Sequence, residues 1–157
     1  ANLKDAPWKD VYSPSLELRP KKGVDLPECE VDFVWMMPRR YPDKTVIILG
    51  ECKDQGAIRL EEFEKDIANL RRVAEVLPRK RFDTFVLFAK LSPFTPEEIA
   101  RARTLNDEYR RRVILLTARE LEPYHIYERT SRECHISGSG STPEELVAAT
   151  DEIYFRE

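Results

Sequence analysis

Three ionisable residues, Asp32, Glu51 and Lys53, lie on segments that are otherwise rich in apolar residues. Because strand side chains alternate between faces, Glu51 and Lys53 should project to one side of a strand, and Cys52 into the opposite layer. If the two segments pair so that their polar faces coincide, Asp32 joins Glu51 and Lys53 in one patch. Carboxylates this close repel each other unless a cation lies between them. The pattern therefore predicts a Mg²⁺ site, since Mg²⁺ prefers oxygen ligands, commonly one or two carboxylates with retained waters.

Hydrolysis is the chemistry that such a patch would support. A metal-bound water has a lowered pKa, and Lys53 beside it would orient the nucleophile or stabilise charge on a phosphate. Cys52 is expected to pack as a small apolar side chain beneath the site, with its main chain rather than its sulfur near the chemistry.

Each of these residues taken alone also has an ordinary structural interpretation. Asp32 could cap a turn or pair with Arg39 or Arg40. Glu51 and Lys53 could form an exposed ion pair worth ~0–1 kcal/mol. These interpretations weaken for the set, because ionisable groups on the inward faces of hydrophobic strands are costly without a shared purpose.

Two strands and a helix are predicted to position the patch. The segment 28–37 alternates between two faces, one with Val31, Phe33 and Trp35 and the other with Glu30, Asp32 and Val34. The segment 44–52 is a β-branched run too short for a helix, and 38–43 has turn chemistry, so the two segments predict an antiparallel hairpin. Apolar residues then recur at helical spacing from Leu60 until Pro78.

Further strands and helices are predicted downstream, after a possible first strand at 11–18. A strand over 82–91, a helix and a buried strand over 113–117 predict a right-handed parallel crossover. The helix should begin with a capping box formed by Thr95 and Glu98.

The C-terminal residues are predicted to be a loosely attached tail of the same domain. The segment 137–157 opens with the flexible run SGSGST, and the capping pattern recurs at Thr142 and Glu145 before a short helix. The final EIYFRE is expected to close as a strand. We therefore expect one domain, with residues 1–136 as its main body.

The order of these features resembles the PD-(D/E)xK nuclease superfamily. Asp32 on one strand is followed by Glu51-Cys52-Lys53 at the end of a hydrophobic strand, and then by an amphipathic helix. The similarity covers roughly residues 11–90. It implies a restriction-endonuclease-like α/β fold, with a mixed central sheet flanked by helices.

The resemblance also implies roles for individual residues. Asp32, Glu51 and the backbone carbonyl of Cys52 would be ligands of Mg²⁺, for which Mn²⁺ could substitute. Lys53 would lie next to the attacking water. Gln55 completes a Glu-x-Lys-x-Gln pattern and would help to position water or a phosphate. The implied reaction is metal-dependent hydrolysis of phosphodiester bonds in DNA.

The chain departs from the family pattern at two points. Val31 stands where the family usually has proline, a position that is not a ligand. Many members also carry a glutamate on a helix before the first core strand, and residues 1–10 do not have that character. Either that helix lies upstream of Ala1, or this branch lacks it, or Glu17 or Glu30 compensates.

Composition limits the classes of protein that remain. The chain has 157 residues, which suits one domain, and a net charge of −3, which is not the global signature of a nucleic-acid binder. No apolar run is long enough to span a membrane. Three cysteines without a CxxC pair argue against a disulfide scaffold or a structural zinc site. We therefore expect a cytoplasmic protein with no membrane partner.

The leading hypothesis is a Mg²⁺-dependent DNA endonuclease domain. Because its net charge is acidic, further domains or subunits of a larger system would supply much of the DNA affinity, and a homodimer is plausible for cutting two strands. The alternative is a catalytically inactive nuclease-like module for DNA binding or assembly. A small α/β enzyme of another kind is less favoured, because the sequence has no glycine-rich phosphate loop and no GxSxG.

Overall fold

A mixed five-stranded sheet organises the described part of the chain. A computed structural model describes residues 10–26, 28–39, 43–53, 59–108, 112–118 and 142–156. In chain order the elements of these residues are β1 (Val11–Leu18), β2 (Cys29–Met37), β3 (Thr45–Lys53), α1 (Leu60–Val76), β4 (Phe82–Lys90), α2 (Pro96–Glu108), β5 (Val113–Leu116) and α3 (Pro143–Thr150). The strands lie side by side in the same order as in the chain.

The sheet changes direction at its centre. β2 runs antiparallel to both β1 and β3, whereas β4 runs parallel to β3 and β5 runs parallel to β4. The predicted hairpin and the predicted parallel crossover pair are both confirmed. This α/β architecture is the expected mixed central sheet flanked by helices, and it is consistent with the restriction-endonuclease-like fold.

Helices cover both faces of the sheet. On one face, which we call the α1/α2 face, Ile47 and Leu49 of β3 pack with apolar residues of α1 and α2 such as Phe63. On the other, the α3 face, Val46 and Ile48 pack in a cluster that includes residues of α3. The β-branched run of β3 is buried on both sides for this reason, as expected for a central strand. No helix among the described residues is long and apolar enough to cross a membrane.

The predicted alternation of β2 is wrong. Val31 packs on the α1/α2 face together with Val34, whereas Phe33 and Trp35 pack on the α3 face. Two residues three apart therefore share a face. The β1–β2 ladder omits the pair opposite Asp32 at this point, where the backbone of its neighbour in β1 has a positive φ of 48°. A local backbone distortion thus shifts the phase of the strand, which alternation alone does not reveal.

Both predicted capping boxes are confirmed. Glu98 N donates to Thr95 Oγ1 at 3.2 Å, and Thr95 N donates to Glu98 Oε2 at 2.8 Å. The same reciprocal pair joins Thr142 and Glu145 at the start of α3. Residues 137–141, expected to be a flexible break, lie outside the described residues.

The C-terminal residues pack closely on the domain and do not form the expected strand. After α3 the chain continues into a π-helical turn over Asp151–Phe155. Arg103 of α2 donates to the carbonyl of Phe155 at 2.5 Å, and Leu115 N donates to Thr150 Oγ1 at 3.0 Å. These contacts hold the segment in a helical conformation against α2 and β5.

Candidate metal and phosphate site

The site lies at the end of β3, beyond the last residue of β3 that pairs with β2. The antiparallel ladder ends at Phe33 opposite Gly50, and the phenyl ring of Phe33 covers that glycine. A Cβ at Gly50 would lie 2.1 Å from the ring, so the close approach requires glycine. Glu51 and Lys53 follow immediately and alternate with Gly50, which places both side chains on the α1/α2 face.

Asp32 joins this strand end through a backbone contact. Its Oδ2 accepts a hydrogen bond from the N–H of Cys52 at 2.5 Å. The carboxylate thus replaces a ladder hydrogen bond beyond the last β2–β3 pair and is held at the end of β3. The distortion of β1 and β2 described above occurs at Asp32 itself, so the irregular backbone and the polar side chain have the same location.

Glu51 is buried beside a second carboxylate. It is 8% exposed, and its pKa is raised to about 8. Burial is the main cause, followed by the charges of Asp32 and Asp66 and a side-chain hydrogen bond with Asp32, while Lys53 opposes the shift. Burial and nearby negative charge both disfavour the ionised form. Without a further cation, Glu51 therefore keeps its proton near neutral pH.

Lys53 lies among three carboxylates. Its Nζ is 2.8 Å from Asp66 Oδ2, 3.7 Å from Glu62 Oε1 and 3.8 Å from Glu51 Oε2. Burial lowers the pKa of Lys53, but hydrogen bonding and charge attraction from Asp66, with contributions from Glu51 and Glu62, outweigh it and raise the pKa. Lys53 is therefore a permanent ammonium at physiological pH and a poor general base.

Two residues of this cluster, Glu62 and Asp66, were missed by the sequence reasoning. Neither residue belongs to the predicted patch, whereas their side chains are 37% and 16% exposed and face Lys53. A signal was present: the two acids are four residues apart on the helix that directly follows β3. Residues at that spacing share a helix face, and a crossover helix packs back onto its sheet.

The other predicted positions fall in different places. Cys52, expected to pack beneath the site, is exposed, so that prediction is wrong; it lies past Gly50, where the ladder with β2 has ended. Gln55 lies outside the described residues. Glu30 accepts a hydrogen bond from Ser15, and Glu17 pairs with Arg19, both at exposed positions.

The pairing alternatives for Asp32 can also be compared with the contacts. Arg39 pairs with Glu144 of α3 at 2.8 Å rather than with Asp32, and Arg40 lies outside the described residues. Glu51 and Lys53 are too buried for the exposed strand-end pair that was the other alternative. The catalytic roles of Asp32, Glu51 and Lys53 stay predictions.

The carboxyl oxygens of Asp32 and Glu51 are the ligands that a hard divalent cation prefers, and their negative charge would balance it. Asp32 and Glu51 bring two carboxyl groups into contact, and a cation would remove the repulsion that raises the pKa of Glu51. Among the described residues, no group of three or more histidine, cysteine or acidic side chains is arranged to hold a metal. The protein share of a site would therefore be two carboxylates, which is common for Mg²⁺.

Comparisons with known proteins give little further information. No family model and no curated protein matches the chain. A similar solved structure is the MspJI restriction endonuclease in complex with a 27-mer oligonucleotide. It is 18% identical over 92% of this chain, with a TM-score of 0.39, and this chain spans 28% of that one. A likeness at this level carries no inference about fold or function.

Proposed function

We propose that the chain is a Mg²⁺-dependent nuclease domain that hydrolyses phosphodiester bonds in DNA. The observation that carries the proposal is the meeting of Asp32 and Glu51 at the end of β3, with the ammonium of Lys53 3.8 Å from Glu51. Two carboxyl groups and one ammonium gathered at one strand end, with Glu51 buried, are costly unless they serve a common ligand.

Asp32 and Glu51 would hold the metal ion, with the backbone carbonyl of Cys52 as a further ligand. Bound Mg²⁺, or Mn²⁺ in its place, supplies positive charge to the phosphate and lowers the pKa of a coordinated water. Binding requires the carboxylate form of Glu51, so it would release the proton that Glu51 otherwise keeps near neutral pH.

Lys53 would act as a fixed positive charge. Because its pKa is raised, it donates hydrogen bonds and does not remove a proton from water at physiological pH. Its three N–H donors can orient the attacking water and reach a non-bridging phosphate oxygen. Gln55, two residues further on, would position the same water or phosphate.

Support for DNA as the substrate comes from the Asp…Glu-x-Lys pattern and from one exposed cation beside the site. Arg59 is 88% exposed at its side chain and lies 3.5 Å from Glu62, next to the Lys53 cluster. Since the net charge is −3, additional domains or subunits would supply further phosphate contacts. A homodimer would place two such sites on opposite strands of a duplex.

Cleavage assays test the proposal directly. Duplex, single-stranded and branched DNA are incubated with the protein in Mg²⁺ or Mn²⁺, with EDTA as the blank. Asp32→Asn and Lys53→Met should each abolish cutting. Glu97→Gln, at an exposed position of α2, and Lys44→Met, just before β3, are matched controls that should cut like the wild type. Cutting that survives Asp32→Asn and Lys53→Met would overturn the assignment.

One observation favours the alternative, a catalytically inactive nuclease-like module for DNA binding or assembly. Lys53 already has a carboxylate partner at 2.8 Å in Asp66, so part of the site is neutralised internally. Under this alternative, the wild type binds DNA in a gel-shift assay without cutting it, and Mg²⁺ does not change its thermal stability. A Mg²⁺-dependent rise in Tm that Asp32→Asn removes would exclude it.

A further inference from the structure

Lys53 lies at different distances from two acids of α1. Asp66 contacts the ammonium at 2.8 Å, whereas Glu62, one helical turn earlier, is 3.7 Å away. Asp66 is also less exposed at its side chain, 16% against 37%. Its Oδ2 is buried, and the atom that faces it is the Nζ of Lys53.

The position of this ion pair matters for Glu51. Lys53 and Glu51 are on the same face of β3, and their charged groups are 3.8 Å apart. An ammonium freed from Asp66 would turn to the carboxyl oxygens of Glu51, its near neighbour on the strand. That contact would occupy the oxygen atoms that a cation needs. Asp66 pulls the ammonium in the other direction, toward α1.

We propose that Asp66 is a positioning residue, which holds the Lys53 ammonium off Glu51 and so keeps Glu51 available for a divalent cation. The inference rests on the proposed function and adds a residue that the Asp…Glu-x-Lys pattern does not contain. Asp66 acts through Lys53, because its largely buried carboxylate is turned to the ammonium and not to the surface where DNA would lie.

Four substitutions on α1 separate this role from a general effect of charge. Asp66→Asn removes the contact with little change in shape. Glu62→Gln removes the same unit of charge beside Lys53 but leaves the 2.8 Å contact. Glu61→Gln removes one unit of charge at an exposed position of the same helix. Asp66→Glu keeps the charge and should restore part of the function. Circular dichroism and Tm establish that each variant is folded.

The measurements are Mn²⁺ affinity by electron paramagnetic resonance, cleavage kinetics, and the NMR signal of the Lys53 side-chain ammonium. Loss of a group that orients a metal site typically costs 10–100-fold in affinity or activity. Asp66→Asn should therefore weaken Mn²⁺ binding about 10-fold and lower kcat about 10–100-fold. KM for DNA should stay within about two-fold, because Asp66 does not reach the DNA surface, and the ammonium signal should broaden.

The control variants decide between the outcomes. On a logarithmic scale, Glu62→Gln should lower Mn²⁺ affinity and kcat by less than a third as much as Asp66→Asn does. Glu61→Gln should match the wild type. Equal losses in Glu62→Gln and Asp66→Asn would overturn the inference, since charge alone would then explain both. Unchanged Mn²⁺ affinity and kcat in Asp66→Asn would overturn it too.

Failure of the proposed function gives a different result. A wild-type protein that cuts no DNA overturns the nuclease assignment, whatever Asp66 does. The Lys53 ammonium signal then decides the positioning role separately: a signal that stays sharp in Asp66→Asn overturns it, and one that broadens there and not in Glu61→Gln supports it.

Discussion

Two lysines lie side by side at the ends of β3 and β4, and their surroundings differ. Lys53 and Lys90 are register partners in parallel strands, so both point to the α1/α2 face. Each meets a carboxylate from a helix on that face, Asp66 at 2.8 Å for Lys53 and Glu98 at 2.6 Å for Lys90. The two ends of neighbouring strands are thus built in the same way.

The difference lies in exposure and in charge. The side chains of Lys90 and Glu98 are 0% and 2% exposed, and Glu98 also accepts the capping hydrogen bond from Thr95 N. Lys53 is 21% exposed and has three acids within 4 Å. A lysine sealed from solvent against a glutamate serves the fold. An accessible lysine with an excess of carboxylates leaves negative charge for a further cation to balance.

The largest expected change in stability follows from breaking the buried pair of Lys90 and Glu98. Glu98→Gln should lower the free energy of unfolding by about 3–5 kcal/mol, because it leaves the Lys90 ammonium buried beside a neutral partner. Urea denaturation measures the change. Glu97→Gln, the neighbouring exposed position, should stay within about 0.5 kcal/mol of the wild type. Equal midpoints for Glu98→Gln and Glu97→Gln would contradict the structural role of the pair.

At the site, replacing a buried glutamate by glutamine should raise the free energy of unfolding instead of lowering it. Glu51 has a pKa of about 8 in the folded protein against an ordinary value of 4.5, so between these limits the unfolded chain has lost a proton that the folded chain keeps. Stability therefore falls as pH rises from 4.5 to 8, by about 1.4 kcal/mol per unit of the shift at full effect. Glu51→Gln has no proton to lose and should be more stable than the wild type by a few kcal/mol at pH 8.

Urea unfolding at pH 5 and pH 8 checks this prediction. The two proteins should be similar at pH 5, where Glu51 is protonated in the folded state and partly so in the unfolded state, and diverge at pH 8. The same substitution should remove metal-dependent cleavage. A residue that costs stability and supports function is typical of an active site. A wild type that is more stable than Glu51→Gln at pH 8 would contradict the raised pKa.

A smaller effect is expected when Mg²⁺ is added. Protons and metal compete for Glu51, so Mg²⁺ should raise the Tm of the wild type more at pH 8 than at pH 6. At about ten times Kd the gain is roughly 1.4 kcal/mol, or about 3–5 °C for a domain of this size. Differential scanning fluorimetry measures it. Asp32→Asn should abolish the rise, whereas Glu97→Gln should retain it; a rise that persists in Asp32→Asn would place the ion elsewhere.

The sequence contains enough information for the sheet and for part of the site. The β-branched run before Gly50 and the two prolines of 38–43 are local signals, and together they set the hairpin that brings Asp32 to Glu51. Asp32 and Glu51 come together through the pairing of β2 with β3, without contacts from elements that are distant in the chain. Such features are local enough to be read from residue order.

The parts that were missed depend on contacts between distant elements. Asp66 reads as a solvated helix position until the helix is placed against the end of β3. Lys90 was not singled out in the sequence, yet it is buried between Glu98 and the ring of Phe94, 5.0 Å from its Nζ. The phase shift at Asp32 depends on the positive φ of Ser15 in another strand. Tertiary context decides all three, and residue spacing cannot report it.

The smallest effect is expected at Cys52, between the two charged residues of β3. Its side chain is exposed and points away from Glu51 and Lys53, while its main chain binds Asp32 through the N–H. Cys52→Ala should change the free energy of unfolding by less than about 0.5 kcal/mol and leave Mn²⁺ affinity and cleavage unchanged. Cys52→Pro, which removes the N–H, should disrupt all three. A loss of Mn²⁺ binding in Cys52→Ala would make the sulfur a ligand and would contradict a site of oxygen donors.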